Sequence, residues 1–260
     1  MSGYDSRDTT SLNLDSTNTF ADLNKPYENL RIGVVDEFNI DALSKESQKL
    51  FNESLKVFES LGASIHSISL PNINQSVPTY YVIAPAECSS NLSRYDGVKF
   101  GHRSFEAEDL ESLYINSRSE GFGDEVKRRI LIGTYVLSAG YYDAYYKKAQ
   151  QVRRLIKNDF EEAFKEVDLI VSPTSPSEAF EFGSKGTQDP TELYLEDLYT
   201  ISSNLAGLPA LSMPHGFVNG LPVGIQLIGN YLEESMILNF ANRFQQNTDF
   251  HNAKPTFEGF

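Results

Sequence analysis

LRIGVVDEFNIDALSKESQKLFNESLKVFESLGASIHSISLP (30–71) is the stretch that decides the fold class. Its first six residues form a short apolar run that suits a buried strand. Ser44 then opens a helical pattern with Phe51, Leu55 and Phe58 on one stripe, and Gly62 stops it. ASIHSISL (63–70) sets Ile68 and Leu70 on alternate positions until Pro71 ends the strand. Strand, helix and strand over about forty residues make a βαβ unit, which implies a parallel pair joined by a right-handed crossover.

Working outward, residues 1–27 are rich in Ser, Thr, Asp and Asn and read as an irregular connecting segment. Residues 76–165 are almost entirely helical in character, with breaks near 97–104 and 121–123. VDLIVS (167–172) is a further buried-strand candidate, ended by Pro173 and Pro176, and 175–188 reads as a loop. Asp189, Pro190 and Glu192 have the residue types of a helix cap, first turn and capping partner. ALSMPHGFV (210–218), Asn219-Gly220 and LPVGIQLIG (221–229) form a hairpin signal, because Asn-Gly favours the tight I′ turn. Pro214 and Pro222 in its flanks predict edge positions or bulges. A last helix runs over 232–246, and the class is α/β with a mixed sheet and many helices.

Composition narrows the function. The 260 residues are 40% hydrophobic and 22% charged, a globular balance. With 22 basic and 36 acidic residues the net charge is −14. That opposes a chain gripping nucleic acid through its own phosphate contacts, so an RNA-related role needs a partner to hold the RNA. Cys88 is the sole cysteine, and His66, His102, His215 and His251 are scattered without metal-ligand spacing. No apolar run approaches the roughly 20 residues of a membrane span. No basic segment leads into an apolar one at the start, so a soluble cytoplasmic protein is expected.

GFGDEVKRRILIGTYVLSAGYYDAYYKKAQ (121–150) carries the richest chemistry. Successive helical residues point about 100° apart, so Lys127, Arg128 and Arg129 cannot share one solvated stripe. Arg129 lies on the side of Val126, Ile130 and Gly133, where Gly133 leaves space for a ligand beside the guanidinium. The alternative is an ordinary surface pair with Glu125, four residues earlier, and spacing leaves both open. Tyr141, Tyr142, Tyr145 and Tyr146 suit helix packing better than base stacking. Asp197 shares a predicted apolar stripe with Leu193, Tyr194 and Ile201, so its carboxylate needs a partner, either structural or the ammonium group of a ligand. GFGDEV (121–126) lacks the third glycine of a dinucleotide loop, and neither a Walker-type loop nor a Gly-x-Ser-x-Gly elbow is present.

SGYDSRDTTS (2–11), YYVIAPAECSSNLSRYDG (80–97), SRSEGFGDEVKRRILIGTYVLSAGYYDAYYKKAQQVR (117–153), VSPTSP (171–176) and NLAGLPALSMPHGF…GLPVGIQLIG (204–229) follow one another in family order. Together they resemble the C-terminal part of the A subunits of glutamyl-tRNA(Gln)/aspartyl-tRNA(Asn) amidotransferases, which are amidase-signature enzymes. The resemblance covers nearly the whole chain and implies the amidase-signature fold, a mixed central sheet covered by helices, here lacking its N-terminal part. Residues 28–260 would then be the C-terminal part of a single such domain. AGLPA and LPVGIQLIG are shared widely in that family, whereas EVKRRI…GYYDAYYKKAQ is more specific to the tRNA-linked subunit.

The resemblance implies a mechanism. A catalytic serine, assisted by a second serine and a lysine, attacks the side-chain amide of glutamine and releases ammonia. The B and C subunits are the expected partners. The tRNA is held mainly by a partner subunit, which uses ATP and Mg²⁺ to activate misacylated Glu-tRNA(Gln) or Asp-tRNA(Asn). No cofactor is expected on this chain itself. Residue by residue, Arg129 matches the arginine that meets the carboxylate of glutamine, Asp197 the acid that receives its ammonium group, and Tyr80 a tyrosine lining the pocket, with Tyr81 adjacent. The Gly/Ser-rich segment with the nucleophile and the upstream lysine are missing, and Ser89-Ser90 and Ser202-Ser203 lack flanking glycines. The expectation is half of a substrate pocket, inactive until the N-terminal half is supplied. A non-catalytic scaffold and part of another amide hydrolase are the competing readings.

Overall fold

The apolar run after Leu30 forms β1 (Arg31–Val35), and the amphipathic segment after it forms α2 (Lys45–Ser60), following a single-turn α1 (Thr19–Asp22). The computed structural model describes residues 3–14, 19–27, 29–38, 40, 43–183 and 197–255. They divide into two units, Met1–Asn74 with Ile156–Phe260, and Gln75–Leu155.

In the first unit the Ser44 side chain caps α2 by accepting the Ser47 N–H at 3.1 Å. Strand β2 (Ser64–Ile68) pairs parallel with β1, with Arg31 opposite Ser64, as a βαβ unit requires. Strand β3 (Leu169–Pro173) is parallel to β1 on its other side and buried along its whole length. The sheet order is β2-β1-β3-β5-β4, where β4 (Ala210–Val218) and β5 (Leu221–Gly229) are the expected hairpin. Asn219 (φ 51°) and Gly220 (φ 79°) supply the two left-handed turn residues of a I′ connection. Both prolines fall where a missing N–H is tolerated. Pro214 opens a bulge on the edge strand β4, and Pro222 precedes the Ile225–Gly229 stretch that pairs with β3.

Alternation divides the sheet into two buried faces. Ile32, Leu169, Val171, Ile225 and Leu227 pack with Phe51 and Phe58 of α2 and with Ile237, Phe240 and Phe244 of α8 (Glu234–Gln246). Phe58 stacks on Phe240 at 5.4 Å between ring centroids. Each such side chain contributes about 1.5–3 kcal/mol on burial. The other set includes Ile170, Ser172, Gln226 and Ile228. There the Gln226 amide donates to the Tyr199 carbonyl at 2.9 Å and to the Ser172 hydroxyl at 3.1 Å, satisfying polar groups that burial would otherwise penalise. At the start of β1 and β3, Arg31 grips Asp168 through Nη2 at 2.7 Å and its own backbone N–H at 2.8 Å. Burial alone would raise the Asp168 carboxyl, but the Arg31 side chain and N–H outweigh it and hold its pKa below the ordinary value. The short helix α7 (Ile201–Ala206) precedes the hairpin. The predicted cap at Asp189, Pro190 and Glu192 lies outside the described residues.

The second unit is helical, as its sequence predicts. It holds α3 (Ser76–Leu92), α4 (Leu110–Gly121) and α5 (Asp124–Leu137). A π-helical turn (Tyr142–Lys147) leads into α6 (Lys148–Glu166), within which the division between the units falls. Asp109 caps α4 in a reciprocal box with Ser112. Helices α3 and α5 approach closely at Gly133, and the hydroxyls of Ser89 and Thr134 meet across them at 2.8 Å. The tyrosine group departs from the packing expectation. Tyr141, Tyr142 and Tyr145 stay exposed: Tyr141 and Tyr145 lie tilted against each other and against Tyr135, and Tyr142 against Tyr146, at the π-turn that departs from α-helical register. Among the described residues no helix is long and apolar enough to cross a membrane.

Candidate functional site

The three consecutive basic residues of α5 do fan outward as helical geometry demands, and each meets a first-turn carboxylate. Lys127 approaches Asp124, while Arg128 and Arg129 both engage Glu125. Acidic groups in the first turn also complement the helix dipole. Arg129 is the most sheltered of the three, with 31% of its side chain exposed against 40% for Lys127 and 66% for Arg128.

Arg129 has two fixed ends. Its Nε donates to Glu125 Oε1 at 2.9 Å, and Nη1 donates to the Tyr80 hydroxyl of α3 at 3.1 Å. The surface pair with Glu125 is therefore formed, and the same guanidinium also reaches Tyr80. An i,i+4 ion pair contributes only about 0.2–0.5 kcal/mol, so the Glu125 contact does little for stability. Hydrogen bonds from Tyr80 and then Glu125 push the guanidinium pKa further above its ordinary value, and it stays charged. A guanidinium has five donors. Two are engaged here, and among the described residues Nη2 has no partner. What remains is one N–H of Nη1 and both of Nη2, donors on the two terminal nitrogens that can meet a carboxylate.

Two helices position this pair. Pro85 lies inside α3, and its carbonyl oxygen sits against Gly133, where a β-carbon would lie 1.9 Å from it. The expected space beside Gly133 is thus filled by backbone, not open to a ligand, and the glycine sets how near α5 comes to α3. Tyr80, not its neighbour, contacts Arg129, while Tyr81 packs edge-on against the Tyr80 ring at 5.0 Å. Neither spacing nor composition distinguishes those two tyrosines, because the choice depends on the rotation of α3 about its axis.

Asp197 belongs to the other unit. It is exposed, which corrects the expectation of a carboxylate held on an apolar stripe. It lies in the turn before α7, where its backbone carbonyl accepts the N–H groups of Thr200 and Ile201 at 3.1 Å each. Leu193 and Tyr194 of the supposed stripe lie outside the described residues, and Ile201 is buried. Of the serine pairs, three members are engaged or enclosed and Ser90 is exposed. Ser89 bonds Thr134, Ser203 donates to the Thr200 carbonyl, and Ser202 is fully buried.

An open cleft of about 250 Å³ in the helical unit is lined by Ala86, Glu87, Ser90, Asn91, Leu137 and Tyr146 and includes none of the three candidates. Among the described residues no group of three or more His, Cys, Asp or Glu side chains is arranged to hold a metal. Sequence reading missed the buried pair of Ser54 and His215, whose Oγ and Nδ1 lie 2.9 Å apart. No local signal links residues 161 positions apart.

The sequence and the fold both have relatives. A sequence model of the family described as Amidase matches residues 1–238. The A subunit of glutamyl-tRNA(Gln) amidotransferase from Cellvibrio japonicus is 62% identical over 251 residues, covering 96% of this chain and 52% of that protein. The protein of the same name from Saccharophagus degradans is 55% identical over 98% of this chain and 52% of its own length. The chain therefore spans about half the length of the curated relatives it matches. Among solved structures, the A subunit of glutamyl-tRNA(Gln) amidotransferase from Thermotoga maritima superposes with a TM-score of 0.73 at 38% identity, over 95% of this chain and 48% of that one. A bacterial aryl acylamidase of the amidase-signature family shares the fold at 18% identity and the same TM-score of 0.73.

Proposed function

Because this chain belongs to the amidase family, we propose that it is the C-terminal portion of the glutamine-hydrolysing subunit of a tRNA-dependent amidotransferase. In this reading it supplies the amino-acid-binding side of the glutaminase pocket. The observation that carries the reading is Arg129, anchored on Tyr80 and Glu125 with one N–H of Nη1 and both of Nη2 left over. A bidentate fork suits the α-carboxylate of glutamine. Recognition of that carboxylate separates a free amino acid from a plain amide, which disfavours a simple-amide hydrolase.

The attacking serine and its lysine come from the part of the relatives' length that this chain does not span. Attack on the glutamine amide forms an acyl-enzyme and expels ammonia, and water then releases glutamate. Partner subunits, for which the relatives' designation as A subunits is the support, hold misacylated Glu-tRNA(Gln) or Asp-tRNA(Asn) and activate it with ATP and Mg²⁺. The net charge of −14 fits a chain that leaves the tRNA to others.

The test is a full-length protein carrying Arg129→Ala, assembled with its partners and supplied with either glutamine or ammonium as nitrogen donor. Loss of a charge-assisted contact of about 1.5–3 kcal/mol lowers kcat/KM for glutamine roughly 10- to 150-fold. Use of ammonium falls far less. Equal losses with both donors refute the role of Arg129, and glutaminase activity of the present chain alone refutes the assignment of the nucleophile elsewhere.

A further inference from the structure

We propose that Glu125 is a positioning residue for substrate. It holds the Arg129 guanidinium by its Nε edge so that a ligand carboxylate is received end-on, by the terminal nitrogens alone. The inference rests on the reading of Arg129 as the carboxylate anchor and adds the group that aims it.

Three observations lead there. First, the Glu125 carboxylate is shared, with Oε1 taking Arg129 Nε at 2.9 Å and Oε2 taking Arg128 Nη1. Both oxygens are engaged, so the carboxylate is held from two directions despite its 55% exposure. Second, the guanidinium is pinned at opposite ends, Nε on Glu125 and Nη1 on Tyr80, which fixes both its plane and its rotation in that plane. A guanidinium held only by Tyr80 could pivot about that one bond. Third, a carboxylate can approach a guanidinium side-on, through Nε and one terminal nitrogen, or end-on through the two terminal nitrogens. Glu125 occupies the first of these approaches. The end-on fork is what it leaves.

Glu125 therefore serves orientation more than affinity or stability. An arginine side chain is long and rotamer-rich, and its fork matches a planar anion only when aligned with it. Misplacement of a binding group by about 1 Å can cost as much as 100-fold in rate. Glu125 also blocks the edge through which a carboxylate in another pose would bind, so it restricts the ligand to one direction of entry.

The experiment uses the full-length protein in complex with its partners and two amide donors. These are glutamine and 4-aminobutanamide, which is glutamine without its α-carboxylate. The readout is the ratio of kcat/KM for the two. Glu125→Ala is expected to raise the KM for glutamine about tenfold, with kcat changed less than about twofold, and to lower the ratio accordingly. Glu125→Gln, whose amide oxygen still accepts from Nε, should restore the ratio to within about threefold of the unsubstituted enzyme. Arg129→Ala is run beside them. If it lowers the ratio and Glu125→Ala does not, the positioning role is overturned while Arg129 remains the anchor. If Arg129→Ala leaves the ratio unchanged, both readings fall. A uniform loss with both donors in Glu125→Ala, not restored by Glu125→Gln, marks a structural role and also overturns the proposal.

Discussion

Gly133 and the carbonyl of Pro85 are in direct backbone contact: a β-carbon on Gly133 would stand 1.9 Å from the Pro85 oxygen and 2.7 Å from the Ser89 β-carbon. The proline inside α3 and the glycine of α5 are two halves of one joint. It sits one turn along α5 from Arg129 and brings that residue within reach of Tyr80.

Gly133→Ala tests the joint, and the sign of its effect is diagnostic. Helix propensity alone would favour alanine by about 1 kcal/mol. Overpacking against a backbone oxygen, which cannot rotate away as a side chain can, costs about 1–3 kcal/mol or more. We expect net destabilisation, read as a lower midpoint in thermal or urea unfolding. A stabilised variant would mean that α5 stands off α3.

Tyr80→Phe removes one hydroxyl and leaves the ring edge-on to Tyr81. Because the Arg129 side chain keeps 31% exposure, water replaces part of the lost bond. The effect is expected near the low end for a charge-assisted hydrogen bond, about 1.5 kcal/mol, or roughly a tenfold rise in the KM for glutamine. Steady-state kinetics of the assembled enzyme checks it. Unchanged kinetics would exclude the hydroxyl from the site.

His215 gives the first unit an acid-sensitive point. Burial pushes its pKa down to about 4 from 6.5, against a smaller opposing effect of a hydrogen bond with the Leu50 backbone. The unfolded chain thus binds this proton more readily than the folded one. Stability is fully present above pH 6.5 and falls as pH drops through the window to about 4. The shift corresponds to about 3 kcal/mol at most. Urea midpoints measured across that window should decline on acidification, and His215→Asn should flatten the decline. A slope that survives the substitution would assign it to other groups.

Asn239 is fully buried, and its amide nitrogen faces the carbonyls of Asp22, Leu23 and Lys25 at 2.8–2.9 Å. Three acceptors around one nitrogen fix the orientation of the amide and tie the turn after α1 to α8. Asn239→Ala leaves those carbonyls short of donors and should destabilise by about 1–3 kcal/mol. Hydrogen exchange would show the loss as faster exchange around residues 19–27. Unchanged protection there would deny the tie.

The elements whose causes are local were legible in the sequence. Asn219-Gly220 demands a tight turn whatever surrounds it, and β4 and β5 have the bounds that the flanking alternation predicts. The stripe of Phe51 and Phe58 is likewise buried as periodicity requires. The site was legible only in part. Arg129 stood out because helical geometry forbids three adjacent cations from sharing one face. Glu125 was legible as its i,i+4 partner, but the pocket tyrosine that the resemblance implies could be narrowed only to Tyr80 or Tyr81, and its bond to Arg129 was not foreseen.

What needed the tertiary structure was everything set by approach between elements. The room inferred beside Gly133 contains the Pro85 carbonyl, because close helix packing is what a glycine on an apolar side also permits. Asp197 was read on a buried stripe and is exposed, since a turn precedes α7 at that point. Sequence by itself determined the α/β class, the parallel β1–β2 pair and the hairpin, all of which follow from short-range sterics and hydrophobic periodicity. Tertiary structure decided the choice of Tyr80 and the burial of His215 beside Ser54. Those depend on the distance and rotation of one packed element against another, and no spacing along a single chain encodes them.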